Sequence, residues 1–375
     1  RQQAREAARF HIKTVRKQDT LPNARVGGVL EVTDEVPVLD SITQEPLLYI
    51  INGKKGFVVV SADMRTMPVL AYSETNNFRT EDMPPGVKMW LEDAKQKVKD
   101  VKRPDKTAHD IVVKEWQKYL DGKLNIPKDK GGRTASCYEW YQYGQFMCQN
   151  STTTYGPLTN TSWGQRDLAT LFLPSFGNCS CGKSLAGCGP VAMAQLIEYH
   201  HPDPSRPRTT RPRGFPTCNA VDQGEISLGQ LMSLCGTASN ASYNFFLTCN
   251  TFTYPSQVQN GLTTLGFSNG GNSTNFIYSS LKIEIGNGYP VILWGSSCTT
   301  CFGDYHIWIA DGIDEHRYSS FNCSTLQCDE WIYTYVRMNW GWQGDYNGWY
   351  GVSSFNPAGT EYMNSNLRMI TGIRP

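Results

Sequence analysis

Cysteine is missing from the first 133 residues of this 375-residue chain, whereas all twelve cysteines lie between Cys137 and Cys328. The chain also has no run near the roughly 20 apolar residues of a membrane-spanning helix, which argues against a membrane-spanning protein. It opens on Arg1 without a signal peptide, so a leader has either been removed or was not included. Neither a phosphate-binding glycine loop nor an internal repeat is found. With 39% hydrophobic and 12% aromatic residues, the composition is that of a globular protein.

Charge divides the chain at the same place as cysteine. Residues 1–133 hold 24 of the 35 Lys and Arg and 19 of the 34 Asp and Glu, a net charge of +5, and the remainder has −4. We therefore predict two domains, at 1–133 and 137–375, whose opposite charges favour docking. Residues 121–136 are polar, basic and interrupted by Gly and Pro, which is typical of an exposed linker where proteolysis occurs.

The first domain is predicted to mix helices and strands. Apolar residues at helical spacing, from Ala4 to Val15, predict an opening helix. Residues 47–60 predict a β-hairpin around a Gly-containing turn. Residues 89–101 predict an amphipathic helix with a charged face.

In the second domain, Cys188 occupies the position most suited to chemistry. It lies in Gly187-Cys188-Gly189-Pro190, directly before a run of small and apolar residues at helical spacing. Because Pro190 fits the first turn of a helix, Cys188 is predicted to lie at a helix N-terminus. The helix dipole and unpaired N–H groups there favour a thiolate. The alternative interpretation is a buried or disulfide-bonded cysteine.

A nucleophilic cysteine needs a base, and five of the six histidines fit that role poorly. His200 and His201 lie on the same predicted helix, roughly 18 Å from Cys188 at ~1.5 Å rise per residue. His11 and His109 belong to the cysteine-free domain. His316 falls in a polar stretch and is predicted to be solvated surface.

His306 is the remaining candidate base. It opens an apolar run that ends at the turn signal Asp311-Gly312, so it is predicted to begin a buried strand. Residues 331–338 predict a second strand, which ends in Asn339-Trp340-Gly341-Trp342. In an antiparallel hairpin Asn339 would lie beside His306 and accept its imidazole N–H, and the tryptophans would shield that bond. The alternative for His306 is a structural core histidine.

An oxyanion donor is also expected before Cys188. The Gln165 amide, in Trp163-Gly164-Gln165, could donate to a developing oxyanion together with the backbone N–H of Cys188. Spacing alone leaves open that Gln165 is an ordinary surface amide.

These motifs, in this order, resemble the streptopain family of cysteine peptidases, and the resemblance covers almost the whole chain. It implies a papain-like catalytic domain, with a helical part and an antiparallel sheet, preceded by an α+β inhibitory prodomain. It further implies Cys188 as nucleophile, His306 as general base and acid, Gln165 as oxyanion donor, and Asn339 with Trp340 supporting the histidine. Two departures are Gly189-Pro190, where Val-Ala is usual, and the scarcity of glycine between residues 355 and 363.

The resemblance implies a cysteine endopeptidase made as a zymogen, with protein or peptide substrates and its own prodomain as intramolecular inhibitor. The family also implies that the prodomain disturbs the histidine, so that His306 need not face Cys188 in the full-length chain. An acyl transferase of the transglutaminase type and a catalytically silent binding protein of the same fold are the alternative functions.

Twelve cysteines favour an oxidising compartment, so we expect a secreted or cell-envelope protein. Cys179 and Cys181 are expected to pin the loop before Cys188. Cys298-Thr299-Thr300-Cys301 favours a local disulfide or two thiols over zinc, and we expect no metal and no cofactor. Three pairs are further disulfide candidates, although connectivity does not follow from sequence: Cys323 with Cys328, Cys137 with Cys148, and Cys235 with Cys249.

A basic cluster rich in proline is predicted to be a surface loop without a nucleic-acid role, because no aromatic residues interleave with its charges. It comprises Arg206, Arg208, Arg211 and Arg213.

Overall fold

The computed structural model describes residues 1–18, 31–103, 108–121, 148–211, 218–220, 222–268, 270–296, 305–322, 325–353, 355 and 366–375. The helices of this part of the chain are α1 (Gln2–Gln18), α2 (Pro85–Val101), α3 (Asp110–Asp121), α4 (Cys188–His200), α5 (Gln223–Ala238), α6 (Pro255–Thr264) and α7 (Tyr278–Gly286). The strands are β1 (Val32–Leu39), β2 (Pro46–Gly53), β3 (Phe57–Ser61), β4 (Val69–Ser73), β5 (Ser151–Tyr155), β6 (Asn272–Asn275), β7 (Val291–Gly295), β8 (His306–Asn322), β9 (Gln327–Asn339), β10 (Gly348–Gly351) and β11 (Arg368–Thr371).

The elements predicted for the first domain are present. Strands β2 and β3 form the expected hairpin, with Leu48 opposite Ser61 and Asn52 opposite Phe57. Pro85 stands in the first turn of α2, where its missing N–H costs no hydrogen bond. One face of α2 is buried, at spacings of three and four residues, and this face includes Trp90, Leu91 and Ala94.

One sheet runs through both predicted domains. Its strand order is β1-β2-β3-β4-β10-β9-β8-β7-β11-β6, with β5 paired to β8, and the pairings among these strands are antiparallel. The junction is between β4 and β10, where Trp349 lies opposite Tyr72 and Tyr350 opposite Ala71. The predicted α+β class is confirmed, and the continuity of the sheet was not foreseen.

A shared hydrophobic core also joins the two domains. Trp90 of α2 packs edge-on against Tyr350 of β10, with ring centroids 4.9 Å apart. Its indole Nε1–H donates to the carbonyl of Gly351 at 3.0 Å. Because an indole buried with its N–H satisfied contributes both apolar burial and a hydrogen bond, the first domain is held by core packing and not by surface charge alone.

A second core lies between helices α4, α5 and α6 and the other face of the sheet. Helix α4 is buried along most of its length, which explains its lack of a polar face. It packs towards Ile307 and Ile309 of β8. Alternate residues of β8 point to opposite faces, so His306 and Trp308 lie on the side of the first core.

The β8–β9 hairpin corrects one prediction. Strand β8 begins at His306 as expected, but it does not turn at Asp311-Gly312 and continues to Asn322. The buried Asp311 accepts two hydrogen bonds from Arg337 of β9, so its carboxylate is satisfied inside the hairpin. The register shifts between Ala310 and Gly312, which is a bulge and not a turn.

The predicted linker at 121–136 lies almost entirely outside the described residues, so its position in the fold stays a prediction. The same holds for the Cys298–Cys301 motif and for most of the segment between residues 355 and 363.

Candidate active site

Cys188 is the first residue of α4, as predicted. Gly187 precedes it with φ of 88°, a left-handed conformation that glycine adopts without strain. A Cβ at Gly187 would also come within 2.9 Å of Thr251, so the turn leading into the helix has no room for a side chain.

Burial of Cys188 favours its neutral thiol, whereas the helix position predicted an accessible thiolate. Burial raises the pKa of Cys188 to about 11, and the nearby backbone N–H groups of Ile307 and Gly189 offset this only in part. Desolvation therefore affects the pKa of Cys188 more strongly than the helix N-terminus does. Removing an anion from water costs more free energy than interaction with a few N–H dipoles restores.

In the same structure, the imidazole of His306 is not arranged to act as an acid or a base on Cys188. Its Nε2–H donates to the carbonyl of Trp340 at 2.8 Å. The ring is buried, stacked 5.8 Å from Trp308 and edge-on to Trp342 at 6.0 Å. Burial lowers the pKa of His306 to about 4, against the opposing effect of the Trp340 carbonyl. Between these two described residues, Cys188 and His306, no hydrogen bond is formed.

Asn339 does not accept the imidazole N–H, which differs from the predicted pairing. The register places it opposite Ile309 of β8, so the Trp340 carbonyl reaches the ring instead. The Asn339 amide donates to the carbonyl of Thr161 at 2.9 Å and to the side chain of Gln195 at 2.9 Å. In this state Asn339 ties the hairpin to the loop before Cys188 and to α4.

Trp340 and Trp342 pack around His306 from two sides. The Trp340 ring is fully buried, 4.9 Å from Trp308 and edge-on to Tyr350 at 5.2 Å. These contacts exclude water from the imidazole and fix its present orientation.

Gln165 lines the same cleft as Cys188 and His306. Its own carbonyl accepts the N–H of Ala186 at 3.0 Å, which ties it to the loop leading into α4. The neighbouring Trp163 is fully buried and donates to the carbonyl of Pro207 at 2.8 Å. The structure therefore brings Gln165, Cys188 and His306 to one cleft.

The cleft has a volume of about 890 Å³ and both domains line it. Gly86, at the start of α2, lies directly on the histidine. A Cβ at this position would come within 2.6 Å of the Trp340 ring and 3.1 Å of the His306 ring. The first domain thus covers the face of His306, a contact that only the Pro84-Pro85-Gly86 helix start could have signalled.

Charged contacts across the cleft were missed in the sequence. Arg79 of the first domain pairs with Asp345, which also pairs with Arg211 at 3.2 Å. Of the arginine cluster predicted to be a surface loop, Arg211 is exposed, whereas Arg206 and Arg208 both bind the buried carboxylate of Glu198. In the sequence, the single glutamate near the end of the predicted apolar helix, Glu198, was the feature that could have indicated these contacts.

The disulfides of the described residues have pairings other than those suggested. The bonds join Cys148 to Cys328, Cys179 to Cys249, and Cys181 to Cys218. These bonds exclude the suggested pairs of Cys323 with Cys328, Cys137 with Cys148, and Cys235 with Cys249. Cys179 and Cys181 do anchor the loop before Cys188, and Cys235 is a free, buried thiol.

His316 is not solvated surface as predicted. It is half-buried on β8, and its Nε2 hydrogen-bonds Asp314 at 2.7 Å.

Among the described residues no group of three or more potential metal ligands occurs. None of the helices described is long and apolar enough to cross a membrane.

Comparisons with known proteins agree with this arrangement. Residues 1–98 match the family described as Spi protease inhibitor, and residues 216–350 match the peptidase C10 family. The second match includes His306, Asn339 and Trp340 but not Cys188 or Gln165. No curated protein matches the chain.

Two solved structures are similar. One is a fragment of prointerpain A from Prevotella intermedia, a cysteine-to-alanine mutant, with 19% identity and a TM-score of 0.52, covering 91% of this chain and 99% of that chain. The other is active interpain A from the same organism, with 20% identity and a TM-score of 0.38, covering 59% and 96%. The first likeness establishes the shared fold. The chain is a cysteine peptidase whose second domain is similar to the C10, or streptopain, family and whose first domain is similar to the Spi protease inhibitors.

Proposed function

We propose that the chain is the latent form of an exported cysteine endopeptidase in which Cys188 and His306 perform the chemistry after the first domain is removed. The observation that supports latency best is the position of Gly86 against the rings of His306 and Trp340. With the first domain docked, His306 donates to the Trp340 carbonyl and burial favours the neutral thiol of Cys188. Neither group is then in the form that nucleophilic catalysis needs.

Removal of the first domain uncovers the face of His306 that Gly86 occupies. The imidazole can then leave the Trp340 carbonyl and accept the proton of the Cys188 thiol. Exposure of the pair to water also removes the burial that raises the pKa of the thiol, so the thiolate becomes accessible. This rearrangement is the activating step of the proposal.

In the active form, the Cys188 thiolate attacks the scissile carbonyl. The Gln165 amide and the Cys188 backbone N–H donate to the resulting oxyanion. His306 then gives its proton to the leaving amine and, in the second half-reaction, takes one from the water that hydrolyses the thioester. Peptide substrates reach the thiol through the cleft that the first domain now lines on one side.

Export is supported by the disulfides. Among the described residues, three bonds join distant parts of the second domain, including Cys148 to Cys328 across 180 residues. Such bonds persist in oxidising compartments, so we assign the protein to the cell envelope or the exterior.

The test begins with limited proteolysis of the full-length chain, followed by casein hydrolysis. Cys188→Ala should abolish hydrolysis and leave the circular dichroism spectrum unchanged, and Cys235→Ala, which removes the other free thiol of the described chain, should remain active. N-terminal sequencing of the activated species should place the new terminus between Lys123 and Ser136. Hydrolysis by Cys188→Ala, or full activity of the uncleaved chain, would contradict the proposal. Product masses showing amine transfer in place of hydrolysis would identify an acyl transferase.

A further inference from the structure

The first domain places a positive charge in the cleft at Arg79. Its guanidinium pairs with the carboxylate of Asp345, which belongs to the second domain. Both residues line the cleft that contains Cys188. Because this ion pair joins the two domains, removal of the first domain leaves the carboxylate of Asp345 without its Arg79 partner.

A turn connects Asp345 to the histidine of the site. Trp342 packs edge-on against His306, with ring centroids 6.0 Å apart, and the Trp342 carbonyl accepts the backbone N–H of Asp345 at 3.1 Å. In the proposed mechanism His306 gives its proton to the leaving amine. The leaving-group side of the scissile bond therefore lies next to His306 and Trp342, and Asp345 stands on that side of the cleft.

The same turn is attached to the segment that contains Gln165. The backbone N–H of Gln343 donates to the carbonyl of Trp163 at 3.3 Å, and its side-chain amide donates to Asp167 at 2.6 Å. A Cβ at Gly164 would come within 2.5 Å of the Gln343 side chain, so the two segments are in direct contact. Because all these contacts lie within the second domain, the position of the turn does not depend on the first domain.

Asp345 is the only carboxylate that the described residues of the second domain contribute to the lining of the cleft. Arg211 also binds it, with a guanidinium nitrogen 3.2 Å from each carboxylate oxygen. The carboxylate of Asp345 therefore binds two guanidinium groups in the latent chain. When Arg79 leaves with the first domain, the carboxylate can accept one new cation beside Arg211.

We propose that Asp345 binds a lysine or arginine side chain of the peptide substrate, on the leaving-group side of the scissile bond. The inference rests on the proposed peptidase function. The substrate cation takes the position that Arg79 occupies in the latent chain, where a guanidinium already pairs with this carboxylate. A charge-assisted hydrogen bond to the carboxylate favours such a side chain over a neutral one. The preference is modest, because the site borders water and Arg211 already offsets part of the negative charge.

The test uses enzyme activated by limited proteolysis and fluorogenic peptides that carry Lys, Gln or Glu at either of the two positions after the scissile bond. At low salt the parent enzyme should have a kcat/KM about 4-fold higher for the Lys peptide than for the Gln peptide, and high salt should reduce this ratio. Asp345→Asn should remove the preference, and Asp345→Lys should reverse it in favour of the Glu peptide. Arg211→Gln should increase the preference for Lys, because it removes a competing cation.

Glu330 provides a matched control. Its carboxylate also pairs with an arginine, Arg317 at 2.6 Å, but it lies on β9 and does not line the cleft. Glu330→Gln should keep the preference of the parent enzyme. A misfolded variant would lose activity on all three peptides equally, whereas the reversed order expected of Asp345→Lys requires an intact site.

The outcomes separate this inference from the function on which it rests. A parent enzyme that cleaves the Lys and Gln peptides equally well, or that prefers the Glu peptide, would overturn the inference and leave the peptidase function standing. An unchanged preference for Lys in Asp345→Asn would do the same. If the activated parent enzyme cleaves no peptide, both the proposed function and this inference are wrong.

Discussion

Acid should destabilise the full-length chain through His11, a buried histidine at the interface between the domains. His11 is 4% exposed, its Nδ1 bonds the hydroxyl of Tyr119 at 2.9 Å, and its ring lies 4.4 Å from Tyr72. Tyr72 in turn donates to Asp314 of the second domain at 3.1 Å, and Asp314 also binds His316. The other ring nitrogen of His11 is buried without a hydrogen-bond partner among the described residues, so the site holds a neutral imidazole.

The size of the effect follows from the pKa of His11. Burial lowers it from 6.5 to about 3, and the charges of His316 and Lys118 act in the same direction, against Asp314. The folded chain therefore keeps His11 neutral, whereas the unfolded chain takes up a proton below pH 6.5. Stability from this group is complete above pH 6.5 and is lost progressively as the pH falls towards 3. At pH 5 the loss is about 2 kcal/mol, against a few tenths at pH 7.

Urea unfolding at pH 7 and pH 5 measures this loss, in a Cys188→Ala background that prevents self-digestion. His11→Phe removes the titrating group, so the variant should lose about 2 kcal/mol less than its parent between the two pH values. His306, whose pKa is also lowered to about 4, titrates in both proteins and cancels in the comparison. The same pH dependence in variant and parent would refute a buried, neutral His11.

Three further predictions follow from the site. Gly86→Val should push α2 away from the rings of His306 and Trp340, so that the uncleaved chain hydrolyses peptide. Gly177→Val, where a Cβ would meet nothing within 4 Å, should keep the uncleaved chain inactive, and equal inactivity of the two variants would argue against a tight contact at Gly86. After activation, His306→Ala should lose casein hydrolysis and His200→Ala should keep it, and near-normal turnover of the first would remove His306 from the chemistry. Asn339→Ala should lower the free energy of unfolding by about 3 kcal/mol, because it leaves several buried partners unsatisfied, and a loss below about 1 kcal/mol in urea would contradict that.

Sequence patterns correctly predicted those helices and strands whose formation depends on interactions between residues close together in the chain. Pro190 predicts a helix with Cys188 at its N-terminus, because the missing N–H of proline costs no hydrogen bond in the first turn. The apolar run after His306 predicts the start of β8, and residues 47–60 predict the β2–β3 hairpin. Each of these features depends on residues close together in the chain.

The state of the site was not predictable in this way. The Cys188 thiol was expected to be acidic from its helix position, but burial by the rest of the molecule raises its pKa. Asn339 was expected beside His306, but the register of the two strands places it opposite Ile309, three residues further along β8. The desolvation of a side chain and the register of a strand pair both depend on which other parts of the molecule pack against that helix or strand. The periodic pattern of a sequence shows only which face of a helix or strand is apolar.

Disulfide pairing shows the same limit, since the bonds link Cys148 to Cys328 and Cys179 to Cys249 and not cysteines that are near in sequence. The amino-acid pattern alone determined where α4 and β8 begin and that residues 47–60 form a hairpin, whereas the two-domain division and the residues equipped for thiol chemistry stay predictions. Tertiary structure alone decided that β4 of the first domain pairs with β10 of the second, and that Gly86 rests on His306. These contacts join residues more than 200 positions apart, whose pairing is selected by the packing of a common core and leaves no signal in either segment by itself.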